Sequence, residues 1–159
     1  MLTKKAKYAL KALMLMARTG HPMLIAEISE EEHIPKKFLE LILLELKRDG
    51  LLESKTGRGG GYNLRARAAA ISVGRIVRLI DGPLAQIPCV SLTAYRKCDE
   101  CTDETTCSIR MIMKQVRDAT AGILDRTTLE DLLNTEKRSA RQKMNKLLNA
   151  SNVQSRRSR

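Results

Sequence analysis

Three apolar stripes at helical spacing stand within the first 50 residues and are followed at once by Gly57-Arg-Gly-Gly-Gly-Tyr62. That order constrains the fold more than anything else in this chain. The first stripe is Leu10, Leu13, Met14 and Ala17, which Thr3 can cap and Gly20, His21 and Pro22 end. A second short helix is expected over about residues 24–32, burying Ile25 and Ile28. After the turn His33-Ile34-Pro35, a third is expected to reach about Asp49, with Phe38, Leu39, Ile42, Leu43 and Leu46 inward and Gly50 at a left-handed C-cap. Two helices joined by a short turn, with a packing helix before them, make a helix-turn-helix. Residues 51–64 then read as two short strands around a glycine tip, a wing. A phosphate-binding glycine loop does not fit, because no helix opens directly after Gly61 and no Lys-Ser/Thr follows.

The remainder reads as helix and loop. A fourth helix is expected over 71–81, with Val73, Ile76, Val77 and Ile80 inward and Gly82-Pro83 closing it. A long helix follows from roughly Cys107 to Leu124, with Ile109, Ile112, Met113, Val116, Ile123 and Leu124 as its stripe. That stripe is too long for the small core left to it, and pairing with a second copy is the simplest way to bury it. A short capped helix is expected over 127–133. The fold class is therefore mainly α with a small β-wing: a winged helix-turn-helix plus a long dimerisation helix. The chain divides into a DNA-binding domain (1–82), a cysteine-rich sensor loop (83–108), a dimerisation-helix region (109–133) and a basic tail expected to lack regular structure (134–159).

Charge supports the nucleic-acid reading. The chain carries a net charge of +11, and 8 of its 29 Lys and Arg, against one acidic residue, lie in 134–159. Such basicity favours nucleic acid or another anionic surface as partner, or in the plainer reading only adds solubility. The basic start is followed by an apolar run, Ala12 to Ala17, too short for a signal peptide, and no stretch is long enough to span a membrane. A cytoplasmic location is expected, where disulfides rarely persist.

All four cysteines fall within 19 residues, spaced Cys89-x8-Cys98-x2-Cys101-x5-Cys107. Clustered thiols bind a soft metal, form disulfides or do redox chemistry. Four thiolates suit an iron–sulfur cluster, 2Fe-2S or 4Fe-4S, and also zinc, which usually takes two close pairs where this chain has one. A metal-free thiol switch is the third reading. Asp99, Glu100, Asp103 and Glu104 read as solvating residues rather than ligands. A thiol oxidoreductase built on Cys98-x2-Cys101 lacks the βαβ setting that motif needs. No Ser/His/Asp set, paired-carboxylate cleft or nucleotide loop stands out, so no enzyme is expected.

On the DNA side, the N-terminal part of the third helix should enter the major groove. Lys36 and Lys37 read as phosphate contacts that position the protein. Glu40 reads either as an acceptor from cytosine N4 or as half of a surface ion pair. Arg58, with Gly59 and Gly60 at the wing tip, reads as a minor-groove probe or a solvated turn.

The combination resembles the Rrf family of bacterial winged-helix transcriptional regulators. The matching residues are Leu2-Thr3 with Tyr8-Ala9, Phe38-Leu39-Glu40, Leu46 to Leu51, Gly59-Gly-Gly-Tyr62, and Ile71 with Ile76, followed by the cysteine loop. The likeness covers about 1–133. It implies a homodimer on a palindromic operator of double-stranded DNA, a long helix at the dimer interface, and three cluster-ligating cysteines at the places of Cys98, Cys101 and Cys107. Some relatives use an acid near the start of the first helix as a further ligand. Lys7 stands there in this chain, so the resemblance leaves Cys89 as the candidate fourth ligand, its alternative being a buried small apolar residue. The function it implies is a repressor sensing iron–sulfur status, redox or nitrosative stress. A zinc-stabilised nucleic-acid binder and a metal-free thiol-redox protein are the alternatives.

Overall fold

The computed structural model describes residues 2–157, with side chains to residue 148. Helix α1 (Lys4–Thr19) opens with the Thr3 hydroxyl accepting from Ala6 N–H and closes on Gly20 in the left-handed conformation. The spacing of Leu10, Leu13, Met14 and Ala17 marks only one of its faces. Of these only Leu13 is fully buried and Leu10, Met14 and Ala17 are half-buried, whereas Ala6, Ala9, Ala12, Leu15 and Met16 are shut from water, so α1 is the central rod of the core rather than a packing helix on its edge. Its alanines let other helices approach closely, and α2, α3, α4, α6 and the wing all pack against it.

Helix α2 (Ile25–Glu32) buries Ile28 and ends on His33, a non-glycine residue at φ 53°. Pro35 begins α3 (Lys36–Arg48), whose Leu39, Ile42, Leu43 and Leu46 face the core. Gly50, at φ 78°, closes α3: Leu51 N–H donates to Leu46 C=O and Gly50 N–H to Lys47 C=O. The chain then enters β1 (Leu52–Lys55), which pairs antiparallel with β2 (Gly61–Leu64), setting Leu52 opposite Leu64 and Lys55 opposite Gly61.

This wing is pinned at its stem. Met23, between α1 and α2, exchanges two backbone hydrogen bonds with Tyr62, at 2.9 and 2.8 Å. A Cβ on Gly61 would lie 2.5 Å from the Met23 carbonyl oxygen, and the residue sits at φ 143°. The close approach therefore requires glycine.

Helix α4 (Val73–Asp81) is capped by Ser72, and its last residue, Asp81, accepts hydrogen bonds from the backbone N–H and hydroxyl of Thr3. The start of α1 and the end of α4 are thus one joint. Helix α5 (Ser108–Arg126) crosses α4, where the Arg78 guanidinium grips the Asp125 carboxylate with two hydrogen bonds, 2.6 and 2.8 Å. A Cβ on Gly74 would strike that carboxylate. Arg78 holds Asp125 below the usual carboxylate range, chiefly by hydrogen bonding.

Helix α6 (Leu129–Arg157) corrects two expectations. The short helix expected over 127–133 is only its beginning, and the tail expected to lack regular structure is helical as far as Arg157. The physical cause is nucleation. Thr128 and Asp131 cap the start reciprocally, and Leu129 and Leu133 are buried. Once that turn is fixed, a run free of glycine and proline, rich in Arg, Lys and Leu, propagates the helix. Residues 158 and 159 of that tail lie outside the described residues.

Two stability outcomes are expected. Gly61→Ala should cost about 2 kcal/mol in urea unfolding, as an overpacked backbone contact does, whereas alanine at an exposed α6 site such as Ser139 should change little. Because Asp125 is held low, its contribution is present above the ordinary carboxyl pKa of about 3.9 and is lost as pH falls through the lower folded value. The melting-temperature gap between wild type and Asp125→Asn should therefore narrow below about pH 4.

Candidate nucleic-acid interface and cysteine site

The start of α3, the start of α2 and the wing surround a cleft of about 550 Å³. Lys36 and Glu40 line it from α3, Gly60 from the wing. Lys37, Arg58 and Gly59 are exposed but do not line the cleft. Among the described residues Glu40 makes no ion pair, so the surface-pair reading of that carboxylate has no partner in the structure. Glu45, one turn further, is held by Lys5 at 2.5 Å.

Sequence reasoning missed Ser54, Lys55 and Thr56, which also line the cleft from the wing. Lys47 at the end of α3 donates to the Ser54 hydroxyl at 2.6 Å, which ties helix to wing. It also missed Leu41 and Leu44, exposed on the outer side of α3. The signal was present: both fall off the core stripe that Leu39, Ile42, Leu43 and Leu46 define.

The cysteines share no lining residue with that cleft. Cys89, Cys98, Cys101 and Cys107 all line one cavity of about 280 Å³, together with Arg96, Lys97 and Asp99. Cys89 is buried in a short turn of 3-10 helix, Pro88–Val90; Cys98 is exposed; Cys101 and Cys107 are half-buried, and Cys107 is the N-cap of α5. Cys101 N–H donates to Cys98 C=O at 3.2 Å, closing a turn. Desolvation pushes the Cys101 thiol above its ordinary range, and Cys107, Cys98 and Glu104 add to the effect. Such a thiol stays protonated unless a cation compensates.

Two of the loop's four acidic residues are engaged within it, while Asp99 lines the cavity. Asp103 accepts from the backbone and hydroxyl of Thr105, which lowers its pKa, and Glu104 accepts from the Tyr95 hydroxyl at 2.6 Å, which raises that of Tyr95.

Four soft donors on one wall, with the cations Arg96 and Lys97 beside them, fit a thiolate-ligated centre. Among the described residues, no three ligand-type side chains are drawn together closely enough to hold a metal ion, and a thiolate-ligated centre here would require the loop to tighten. Arg117 of α5 is buried and donates to the carbonyl oxygen of Val90, next to Cys89 in the chain. The turn carrying Cys89 is thereby attached to the long helix.

A helix-turn-helix with its wing, joined to a long helix through a cysteine loop, defines a winged-helix transcriptional regulator. The family model described as Rrf2, an iron-dependent transcriptional regulator, matches residues 2–135, and the chain belongs to that family of DNA-binding regulators. An rrf2-like HTH-type transcriptional regulator of Rhodobacter capsulatus is 44% identical over 138 residues, covering 84% of this chain and 92% of that protein. The regulator IscR of an Enterobacter species is 30% identical over 138 residues, covering 85% of this chain and 80% of IscR. The structure of CymR, the global cysteine regulator of B. subtilis, superposes with a TM-score of 0.70 at 27% identity, over 85% of this chain and 97% of CymR. These relatives are regulators, not enzymes. Among the described residues no helix is long and apolar enough to cross a membrane.

Affinity and specificity should separate on α3. Lys37→Gln should weaken binding to most duplexes alike and lower the salt slope by about one. Glu40→Ala should reorder the preferred sequences in a selection from random DNA; an unchanged ranking would remove Glu40 from the reading surface.

Proposed function

We propose that this chain is a cytoplasmic, dimeric repressor that binds a palindromic operator and senses iron–sulfur status, redox or nitrosative stress through Cys89, Cys98, Cys101 and Cys107. The observation that carries the reading is the single cavity lined by all four cysteines at the root of α5. The iron-dependent description of the family supports it. Bound there, an iron–sulfur cluster, 2Fe-2S or 4Fe-4S, would supply an electron-accepting centre that reacts with oxidants and nitric oxide, and the cysteines that hold it would do so as thiolates.

The dimer reading rests on α5. Ile109, Met111, Ile112, Val116 and Ile123 are exposed along it, Ile109 at 66% and Ile123 at 62%. A two-fold pairing of this helix would remove that surface from water. Operator palindromy follows from such symmetry, with half-sites about 10 base pairs or a multiple apart. Lys36 and Lys37 position the protein on phosphates, Glu40 reads a base edge, and Arg58, carried by Gly59 and Gly60, reaches the minor groove.

The coupling runs through this chain's own contacts. Drawing the four thiols together moves the turn Pro88–Val90 and the cap residue Cys107. Arg117 transmits the first movement to the middle of α5, and Cys107 transmits the second to its start. Arg78 and Asp125 pass a shift of α5 to α4, and Asp81 passes it to α1 and the helix-turn-helix packed on it. The spacing of two recognition helices in a dimer then depends on the state of the loop.

The test is anaerobic purification. The protein should be coloured and hold iron with acid-labile sulfide, sediment as a dimer at micromolar concentration, and lose its colour on changing Cys98, Cys101 or Cys107 to Ala. Cys89→Ala should lose it too if Cys89 is the fourth ligand. A colourless preparation with stoichiometric zinc would sink the cluster reading, and a metal-free protein whose DNA binding responds fully to oxidants would assign a thiol switch.

A further inference from the structure

Helix α3 carries a second stripe that neither the core nor the charges explain. Lys37, Leu41, Leu44 and Arg48 stand at i, i+4, i+7 and i+11, one line along the helix on the side away from Leu39, Ile42, Leu43 and Leu46. All four are exposed, Leu41 at 62% and Leu44 at 41%. The line is apolar in the middle and cationic at both ends. A surface meant only for water has no reason to put two leucines at the centre of a DNA-reading helix, where they cost solvation and form one patch.

We propose that Leu41 and Leu44 are base-reading residues that pack on thymine C5-methyl groups in the major groove, while Lys37 and Arg48 bracket them on phosphates. This rests on the DNA-binding reading of α3 above. The chemistry selects the occupant. Every base edge in the major groove presents polar donors or acceptors, and thymine alone adds a methyl group. A leucine pressed on cytosine N4 or guanine O6 strips water from a polar atom and returns no hydrogen bond. The same side chain on a thymine methyl removes apolar surface from water on both sides. Each leucine therefore attracts thymine and rejects the other bases, which is how specificity needs both terms. The two Cα atoms are separated by about 4.5 Å of helix rise, comparable with the step of about 3.4 Å between base pairs. The thymines belong on neighbouring or next-neighbouring base pairs, beside the pair that Glu40 addresses.

The decisive experiment changes the DNA rather than the protein. Duplexes are selected from a random-sequence pool by the full chain, and each thymine in the half-site is replaced by deoxyuridine, which deletes the methyl and keeps every hydrogen-bonding atom. Two thymines per half-site should each lose about three- to fivefold in affinity on replacement, the worth of one buried methyl. The pairing with protein variants then assigns them. In Leu41→Ala or Leu44→Ala protein the effect at the matching thymine should shrink to about one- to twofold, as coupled contacts require. Equal affinity for thymine and uracil duplexes at every position would overturn the proposal. Loss of the dimer by sedimentation in Leu41→Ala/Leu44→Ala protein, with no methyl effect, would overturn it in favour of a contact between copies. If no duplex is enriched at all, the DNA-binding reading of α3 fails first; if duplexes are enriched without a methyl effect, only the leucine assignment fails.

Discussion

The structure depends on one helix being buried on nearly every side. Ala6, Ala9, Ala12, Leu13, Leu15 and Met16 of α1 are all shut from water, and the alanines set how near the neighbouring helices come. Interiors this dense leave no room for added volume. Helix α3, the wing, the link helix α4 and the start of α6 each rest on this rod. Neither α2, with eight residues, nor the wing, with two strands of four, is long enough to be stable in water by itself. The reading surface is therefore a property of the α1 core, and Thr3 with Asp81 fastens the end of that core nearest the cysteine loop.

What the sequence disclosed follows from which signals are local. The cap at Thr3, the turn at His33 to Pro35, the Gly50 closure and the glycine-tipped hairpin are written within a few residues each, and the structure has all of them. The central role of α1 was not legible, because alanine is compatible with both a surface and a core and carries no periodic signal of its own. The helical tail was missed for the converse reason. Its apolar residues at Met144, Leu147 and Leu148 are exposed, and its order comes from the buried turn at Leu129 to Leu133, upstream of the segment being judged. Of the site residues, the clustering of four cysteines in 19 positions was plain in the sequence, but their arrangement around one cavity was not. Arg117 could not have been singled out. Its partner is a backbone carbonyl 27 residues away.

Helix α5 packs on α4 and on the Pro88–Val90 turn, and the hydrogen bonds that fasten it there are of an unusual kind. Its apolar side chains are largely exposed, and its one buried residue is a cation. Burying a guanidinium is costly unless its donors are paired, and Arg117 pairs them with the Val90 carbonyl and the Asp118 carboxylate. The second attachment, Arg78 to Asp125, is again a fork on a carboxylate. Hydrogen-bonded forks are directional in a way that greasy contacts are not. An element fastened by one such fork and by the hydrogen bond from Arg117 to Val90 can pivot about defined points, whereas one embedded in a core can only be packed or unpacked.

The backbone exchange between Met23 and Tyr62 has a mechanical meaning for the wing. It clamps the hairpin at its base, so the distance from α3 to the stem is a fixed gauge built into the protein. Beyond the clamp, Thr56 to Gly60 is exposed or nearly so, with glycines on both sides of Arg58. The wing is a caliper with one rigid jaw and one compliant tip. In the binding mode proposed above, a double helix on α3 would be measured by the first and accommodated by the second.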